Sequence, residues 1–395
     1  MSIAVVCYPG LGGSGVVAAE LALGLAARGH RIHVVATAVP DRLRVGRSED
    51  AAIRPEITFD RIEVPTSPVF EHGPYDVAVA SHLVELARRE AIDLVHLHYA
   101  VPHAASALLA RQVLGDRAPA MVTTLHGTDV TRLGAHPSLH AVTAFALAAC
   151  DGLTAPSQYL RGAAAEQFGV PAERIEVIPN FVDLARFAPP VERDHVTGRL
   201  AALFPPGGDD GPILFHVSNF RPIKRPLDLI EVLARVRRSL PARAVLVGDG
   251  PEREAVAARA RELGVGDAVC LLGRRDDFCR LLGHADGFVL PSESEGFGVA
   301  ALEAMAAGVP VFGYRVGGLP EVVADGAGAL VPCGDVDALA QAVIAGVGDR
   351  AVRDTMGRAA RARAEAWFGG AAAVIRYETY FRTVIANRTK GSASV

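Results

Sequence analysis

Short apolar runs alternate with longer mixed stretches over most of the chain, and this spacing predicts strands separated by helices. IAVVCY, Ile3 to Tyr8, is a strand-length run that enters a glycine-rich turn. The block Val16 to Arg28 then has helical spacing, and Gly29 is placed to end it. HRIHVVAT resumes strand character, and DLVHLHYA (Asp93 to Ala100), MVTTLHGTD (Met121 to Asp129) and GLTAPS (Gly152 to Ser157) repeat the unit. Near-continuous apolar strands between helices predict a parallel sheet covered on both faces. Pro179 and Asn180 break the pattern.

Ala188 to Pro212 is rich in proline, glycine and charge, and reads as a linker with one short helix. A second α/β block begins at ILFHVSN (Ile213 to Asn219) and continues through ARAVLVGDG, AVCLLG, GFVLPS, VPVFGY and GALVPC into helices from Val336 to Arg363. Aromatic residues recur at helical spacing from Trp367 to Thr383, and the final RTKGSASV is expected to fray. The expected organisation is an α/β chain of two parallel-sheet domains facing a cleft. The first covers residues 1–187, completed by a C-terminal helix at 367–388, and the second covers 188–366.

Length agrees, since 395 residues exceed what one core usually supports. A formal net charge of −4 gives no global pull toward nucleic acid. Cys7, Cys150, Cys270, Cys279 and Cys333 are scattered without a C-x-x-C pair, which predicts core thiols in a reducing compartment and no structural zinc. No basic leader and no membrane-length apolar run are seen, so a cytoplasmic protein is expected.

Chemistry concentrates in the turns after the strands. In GLGGSG, Gly10, Gly12 and Gly15 match a dinucleotide-type spacing, but the acidic ribose anchor and a P-loop lysine are missing. The turn is either a flexible strand-to-helix link or a place where a ligand approaches closely. HVSNFRPIKRP sets Arg221, Lys224 and Arg225 between Asn219 and Pro226, a positive patch suited to diphosphate oxygens. VLVGDGPE and FVLPSESEGFG end two further strands of that block, and ligands of open α/β sheets bind at such carboxyl ends. Glu295 stands in the turn before Gly296 and Gly298. Glu303 lies in the following helix, among Ala301, Leu302, Ala304 and Met305, which argues against full exposure; Glu293 and Glu321 have weaker claims.

His96, His98 and His103 cluster near one strand end, with His126 and Asp129 on the next. Such a set raises the question of a metal. Pro102 interrupts the first group and Pro137 spoils the His136 to His140 spacing, so hydrogen-bonding or core roles are favoured and no metal site is expected. His126, followed by Gly127, Thr128 and Asp129, is the best single candidate, with Tyr99, Thr124 and Thr128 on the same edge. No G-x-S-x-G elbow is present, so a hydrolase would lack its nucleophile.

ESEGFGVAALEAMAAGVPV resembles the E-x7-E signature of retaining nucleotide-sugar glycosyltransferases of family GT4, whose GT-B fold has two Rossmann-like domains facing a central cleft. SNFRPIKR, GDGPE, GGLPE and HGTD stand in the expected order, so the resemblance covers almost the whole chain. Within the family, CYPGLGGSGVVAAELALGLAARGH, LHYAVPHA, HGTDVT and SNFRPIKR are most similar to the subgroup that transfers N-acetylglucosamine to L-malate in bacillithiol biosynthesis.

The resemblance implies specific roles. Glu303 would hold the ribose diol of UDP and Glu295 the donor sugar, with backbone N–H groups of Gly296, Phe297, Gly298 and Val299 facing sugar and diphosphate. Lys224 and Arg221 would neutralise the leaving group, with Asn219 beside them where many relatives carry arginine. His126 would lie near the sugar's 6-hydroxyl and reacting carbon, and Gly12 and Gly13 would let the N-terminal loop approach the donor. Ser14, Tyr99 and Thr124 would bind the acceptor. An arginine often precedes the phenylalanine after HGTD in the subgroup, whereas Ala144 precedes Phe145 here, which leaves Arg42, Arg44 and Arg132 as cations for malate. The implied reaction takes UDP-N-acetylglucosamine as donor, needs no cofactor or divalent metal, and uses no protein nucleophile. A homodimer is compatible with the family. Transfer to inositol phosphate or a lipid-linked sugar, and sugar-nucleotide binding without turnover, are the alternative readings.

Overall fold

The computed structural model describes residues 1–10, 12–45, 52–66, 72–190, 200–204, 211–324 and 326–392. They form two compact units, Met1–Asn180 with Gly370–Val395, and Phe181–Gly369. Most of the expected linker, residues 191–199 and 205–210, and the end of the tail, 393–395, lie outside the described residues.

The first unit is built on seven strands: β1 (Ser2–Val6), β2 (Arg31–Ala36), β3 (Ile57–Arg61), β4 (Leu94–His98), β5 (Ala120–Thr124), β6 (Gly152–Ala155) and β7 (Ile175–Val177). Their order is β3-β2-β1-β4-β5-β6-β7, and every pairing is parallel. β1, β4, β5 and β6 are buried at every position, which is why charged residues are absent from them and apolar residues predominate, with His96, His98, Thr123, Thr124 and Thr154 among the polar exceptions. The first helix spans Gly13–Ala27, starting earlier than the expected Val16. Its start needs Gly15, because a Cβ there would sit 2.6 Å from the Gly10 carbonyl oxygen. Gly29, at φ +84°, follows its end.

The second unit has six parallel strands, β8 (Ile213–Val217), β9 (Arg243–Val247), β10 (Val269–Gly273), β11 (Gly287–Leu290), β12 (Val311–Tyr314) and β13 (Gly328–Val331), in the order β10-β9-β8-β11-β12-β13. Residues 181–187 pack here: Val182 N–H donates to Phe368 O at 3.0 Å, and Phe187 is buried. Each sheet therefore has one point where the winding reverses, between β1 and β4 in the first unit and between β8 and β11 in the second. Ligands of open α/β sheets bind at the carboxyl ends of the strands beside such a point.

The tail holds two helices, Arg350–Trp367 and, after a break at Phe368, Gly370–Ser392, so the expected 367–388 helix begins later and runs further. The last helix packs on the first unit. Tyr377 and Phe381 are buried with ring centroids 5.6 and 5.0 Å from that of His96 on β4. The Tyr380 hydroxyl accepts from Leu153 N–H at 2.9 Å and donates to Leu153 O at 3.0 Å. Arg28 and Arg382 both pair with Glu378, and their hydrogen bonds hold its carboxyl down at about 2.

Of the cysteines, Cys7 and Cys150 are buried, Cys270 and Cys279 are intermediate, and Cys333 just past β13 is exposed. The expectation of five core thiols thus fails at Cys333, which the end of the edge strand leaves in solvent. No helix among the described residues is long and apolar enough to cross a membrane.

Because Phe381 is fully buried against the β4 histidine, Phe381→Ala is expected to lower the stability of the first unit by about 3–5 kcal/mol. Urea unfolding followed by circular dichroism checks this, and an unchanged midpoint would contradict the docking of the last helix.

Candidate active site

In the second unit the reversal point brings two loops together. Pro222 opens a short 3-10 turn, Pro222–Lys224, after β8, and Lys224 Nζ lies 2.7 Å from Glu295 Oε1 on the loop after β11. Both side chains are largely covered, at 23% and 11% exposed. The backbones are tied as well, since Glu293 N–H donates to Ile223 O at 2.9 Å. His216 fastens the strands beneath: Nδ1–H donates to Val289 O at 2.8 Å, and Nε2 lies 2.8 Å from the Ser218 hydroxyl. Burial draws its pKa down to about 4, so the imidazole is neutral.

The three basic residues of this loop divide. Arg225 adopts φ +44° and turns to Asp228, which also accepts from the Tyr314 hydroxyl at 2.6 Å. Arg225 therefore serves its own helix. Arg221 and Asn219 are exposed. Close backbone approach explains the glycines of GDG and GGLPE: a Cβ on Gly248 would lie 1.7 Å from Ser218 O, on Gly250 1.9 Å from Asn219 O, and on Gly317 2.0 Å from Glu295 O. Gly318 N–H then donates to Glu295 O at 2.9 Å, so Glu295 is held through its backbone while its carboxylate meets Lys224.

Gly298, at φ +102°, starts the helix Val299–Ala306. Phe297 points inward, its ring edge-on to Phe368 at 5.6 Å, so only its backbone serves the turn. Glu303 is 6% exposed, which excludes the surface-acid alternative.

The corresponding edge of the first unit is polar and largely uncharged. The Ser14 hydroxyl donates to the Tyr99 hydroxyl at 2.9 Å, joining the first helix to the loop after β4. Tyr99 sits at φ +89°, a conformation that side chains other than glycine adopt only under constraint. Gly12 and Gly13 are exposed, and a Cβ on Gly12 would meet the Ser14 Oγ at 4.0 Å, an ordinary contact.

Asp129 organises the loop around His126. One carboxylate oxygen accepts from His126 N–H and Gly127 N–H at 3.0 and 2.9 Å, and the other from Ala100 N–H at 3.0 Å. Asp129 is fully buried; burial pushes its carboxyl up and the three backbone donors pull it back. A carboxylate three residues after a histidine, across a glycine at φ +115°, is a turn-closing signal legible in the sequence.

The histidines form one connected cluster. His98 Nδ1 lies 2.9 Å from His126 Nε2, and His96 Nε2 lies 2.7 Å from the Thr124 hydroxyl, which in turn is 2.6 Å from the Thr154 hydroxyl. His103 Nδ1–H donates to His98 O, and Nε2 lies 2.9 Å from the Tyr75 hydroxyl. Thr124 therefore does not present its hydroxyl to a ligand: it is fully buried and already doubly engaged. Burial draws His96 and His126 down to about 3 and His103 to about 4, with His98 well below its ordinary value, so all four are neutral near pH 7. Among the described residues no three His, Cys, Asp or Glu side chains are arranged to hold a metal. Of the cations considered for an acidic acceptor, Arg42 pairs with Glu20 at 3.7 Å, Arg44 donates to Val39 O at 3.2 Å, and Arg132 is exposed. Ala144 packs against the core, and Phe145 beside it is 66% exposed.

Residues 11–186 match the family described as Glycosyltransferase Family 4, and residues 205–363 that described as Glycosyl transferases group 1. The N-acetyl-alpha-D-glucosaminyl L-malate synthase of Bacillus anthracis is 38% identical over 394 residues, 99% of each chain. The chain belongs to glycosyltransferase family 4. Another relative, the D-inositol 3-phosphate glycosyltransferase of Kribbella flavida, is 32% identical over 77% of this chain and 70% of its own. The sucrose-phosphate synthase of Thermosynechococcus elongatus superposes with a TM-score of 0.78 at 23% identity, covering 98% of this chain and 100% of that one. HepE of Anabaena, solved with UDP and glucose, gives 0.78 at 20% identity over 97% and 99% of the two chains. The GT4 chain thus has the GT-B fold, and as a glycosyltransferase it uses a nucleotide-sugar donor.

Two outcomes follow from the site of the first unit. Asp129→Asn leaves an amide facing the Ala100 N–H, so a stability loss of about 1–3 kcal/mol is expected in thermal unfolding, together with reduced turnover. The neutral histidines set a pH dependence. His96, His103 and His126 take up a proton near 6.5 when unfolded but only near 3–4 when folded, and His98 is lowered in the same direction, so their stabilisation is complete above pH 6.5 and is lost as pH falls from there toward 3. The slope of stability against pH in that window should report uptake of several protons on unfolding, and a flat profile would contradict the neutral cluster.

Proposed function

We propose that this GT4 enzyme transfers N-acetylglucosamine from UDP-N-acetylglucosamine to the hydroxyl of L-malate, with retention at the anomeric carbon and release of UDP. The observation that carries this reading is the full-length likeness to the Bacillus anthracis synthase. The Lys224–Glu295 pair at the reversal point of the second sheet supports the donor assignment. In this reading the diphosphate replaces Glu295 as the partner of Lys224, Arg221 adds a second positive charge, and Glu295 is freed for the sugar hydroxyls. Glu303 takes the ribose diol, and the N–H groups from Gly296 to Val299 face the diphosphate. Asn219 lies beside the phosphate-facing turn.

The bond from the anomeric carbon to the phosphate oxygen breaks as the bond to the malate hydroxyl oxygen forms on the same face. The hydroxyl proton passes to the departing phosphate oxygen. Lys224 and Arg221 stabilise the charge that gathers on UDP, so the protein acts by positioning and electrostatics. Ser14 and Tyr99 are assigned to the acceptor and His126 to the sugar, with Gly12 and Gly13 leaving room for the donor. No divalent metal is assigned a role.

Inositol phosphate is the rival acceptor, supported by the Kribbella relative, and Ala144 in place of a cation weighs against malate. Purified enzyme and UDP-N-acetylglucosamine, incubated with L-malate, D-malate, D-inositol 3-phosphate or no acceptor, with and without EDTA, decide between them by mass-resolved product. A glycosyl-malate that forms with L-malate in preference to D-malate and survives EDTA is the expected result. Product with inositol phosphate alone would overturn the malate assignment, and loss with EDTA the metal-free one. Lys224→Ala should lower kcat/KM by about 10²–10³-fold, the scale of one lost group that stabilises transition-state charge.

A further inference from the structure

The buried histidine chain fixes where the hydrogens lie, and this decides what His126 can do. A neutral imidazole carries one N–H and one bare nitrogen. His98 is fully buried, with Nδ1 2.9 Å from His126 Nε2 and Nε2 without a hydrogen-bond partner among the described residues. Two arrangements are available. If His98 carries its hydrogen on Nε2, an N–H donor is stranded in the interior; if on Nδ1, the stranded atom is a lone pair. A buried orphan donor is the rarer and costlier of the two. His98 therefore donates from Nδ1 to the bare Nε2 of His126.

The neighbours agree. His96 has the same choice, since its Nδ1 is also buried without a partner while Nε2 meets the Thr124 hydroxyl. Placing its hydrogen on Nε2 lets Thr124 accept from His96 and donate its single hydrogen to Thr154. His103 must donate from Nδ1, because its partner there is the His98 carbonyl, and it accepts from Tyr75 at Nε2. Every hydrogen that has a partner is then used once.

We propose that His98 is a positioning residue that locks His126 in the Nδ1–H form, making the half-buried His126 a hydrogen-bond donor to the sugar and excluding it as the base that deprotonates the acceptor. Its only basic nitrogen is occupied by His98. The acceptor proton must go elsewhere, which agrees with its transfer to the departing phosphate. The catalytic consequence rests on the proposed function; the hydrogen placement rests on the geometry of the first unit alone.

Long-range proton–nitrogen NMR on the full chain labelled with 15N-histidine reads the placement directly. A protonated Nδ1 and bare Nε2 at His126 is the expected result, and a protonated Nε2 would overturn the proposal. Kinetics test the role. His98→Leu removes the donor and should lower kcat about 10–100-fold, as loss of an orienting partner does, with KM for the sugar nucleotide little changed. His98→Asn sets an amide N–H where Nδ1 stood, and should restore both the Nδ1–H signature and most of kcat. Unchanged kcat in a folded His98→Leu enzyme would overturn the positioning role. If His98→Leu does not fold, the wild-type spectrum and His98→Asn carry the decision. Absence of turnover with any acceptor would sink the proposed function, while the spectrum still decides the hydrogen placement.

Discussion

Everything chemical in this protein depends on the parallel sheet. A strand buried on both faces admits few polar side chains, and His96, His98 and Thr124 on β4 and β5 are held by hydrogen bonds to neighbouring side chains. Parallel pairing puts all carboxyl ends on one edge, and ligands of open α/β sheets bind there beside the reversal of winding. Lys224 meets Glu295 and Ser14 meets Tyr99 because each pair comes from the two loops flanking a reversal point.

The two edges solve opposite electrostatic problems with the same topology. In the second unit a lysine and a carboxylate stay charged, each covering the cost of removing the other from water. That pair is only one of the ways to satisfy Lys224, and an incoming diphosphate offers another with two negative groups instead of one. The first unit keeps the four clustered histidines, His96, His98, His103 and His126, neutral by burial. Arg42 is tied to Glu20 and Arg44 to the Val39 carbonyl.

The sequence was legible where one physical pressure acts alone. Apolar runs such as IAVVCY and DLVHLHYA read as buried parallel strands, and the apolar neighbours of Glu303 foretold its burial. Legibility ended where two pressures compete. Thr124 stands at a strand end beside His126 and looks ligand-facing, but partners on both sides, His96 on β4 and Thr154 on β6, enclose its hydroxyl. Arg225 shares a window with Lys224, yet the local backbone at φ +44° turns it to Asp228. Nothing in spacing shows that Gly317 must admit the Glu295 carbonyl, because that approach is made by residues far apart in the chain. Cys333 looked like its four siblings until the edge strand left it in solvent.

A neutral donor beside a reacting sugar carbon has an electrostatic rationale in the proposed reaction. As the bond to phosphate lengthens, positive charge grows on the sugar ring and negative charge on UDP. A cation at His126 would oppose the first, whereas Lys224 and Arg221 oppose nothing by stabilising the second. Burial that holds His126 near 3 keeps it uncharged throughout the physiological range, and in the proposed arrangement His98 at Nε2 leaves its one hydrogen on Nδ1. In the proposed reaction Lys224 and Arg221 supply the charge that the leaving group needs, and His126 contributes direction without charge.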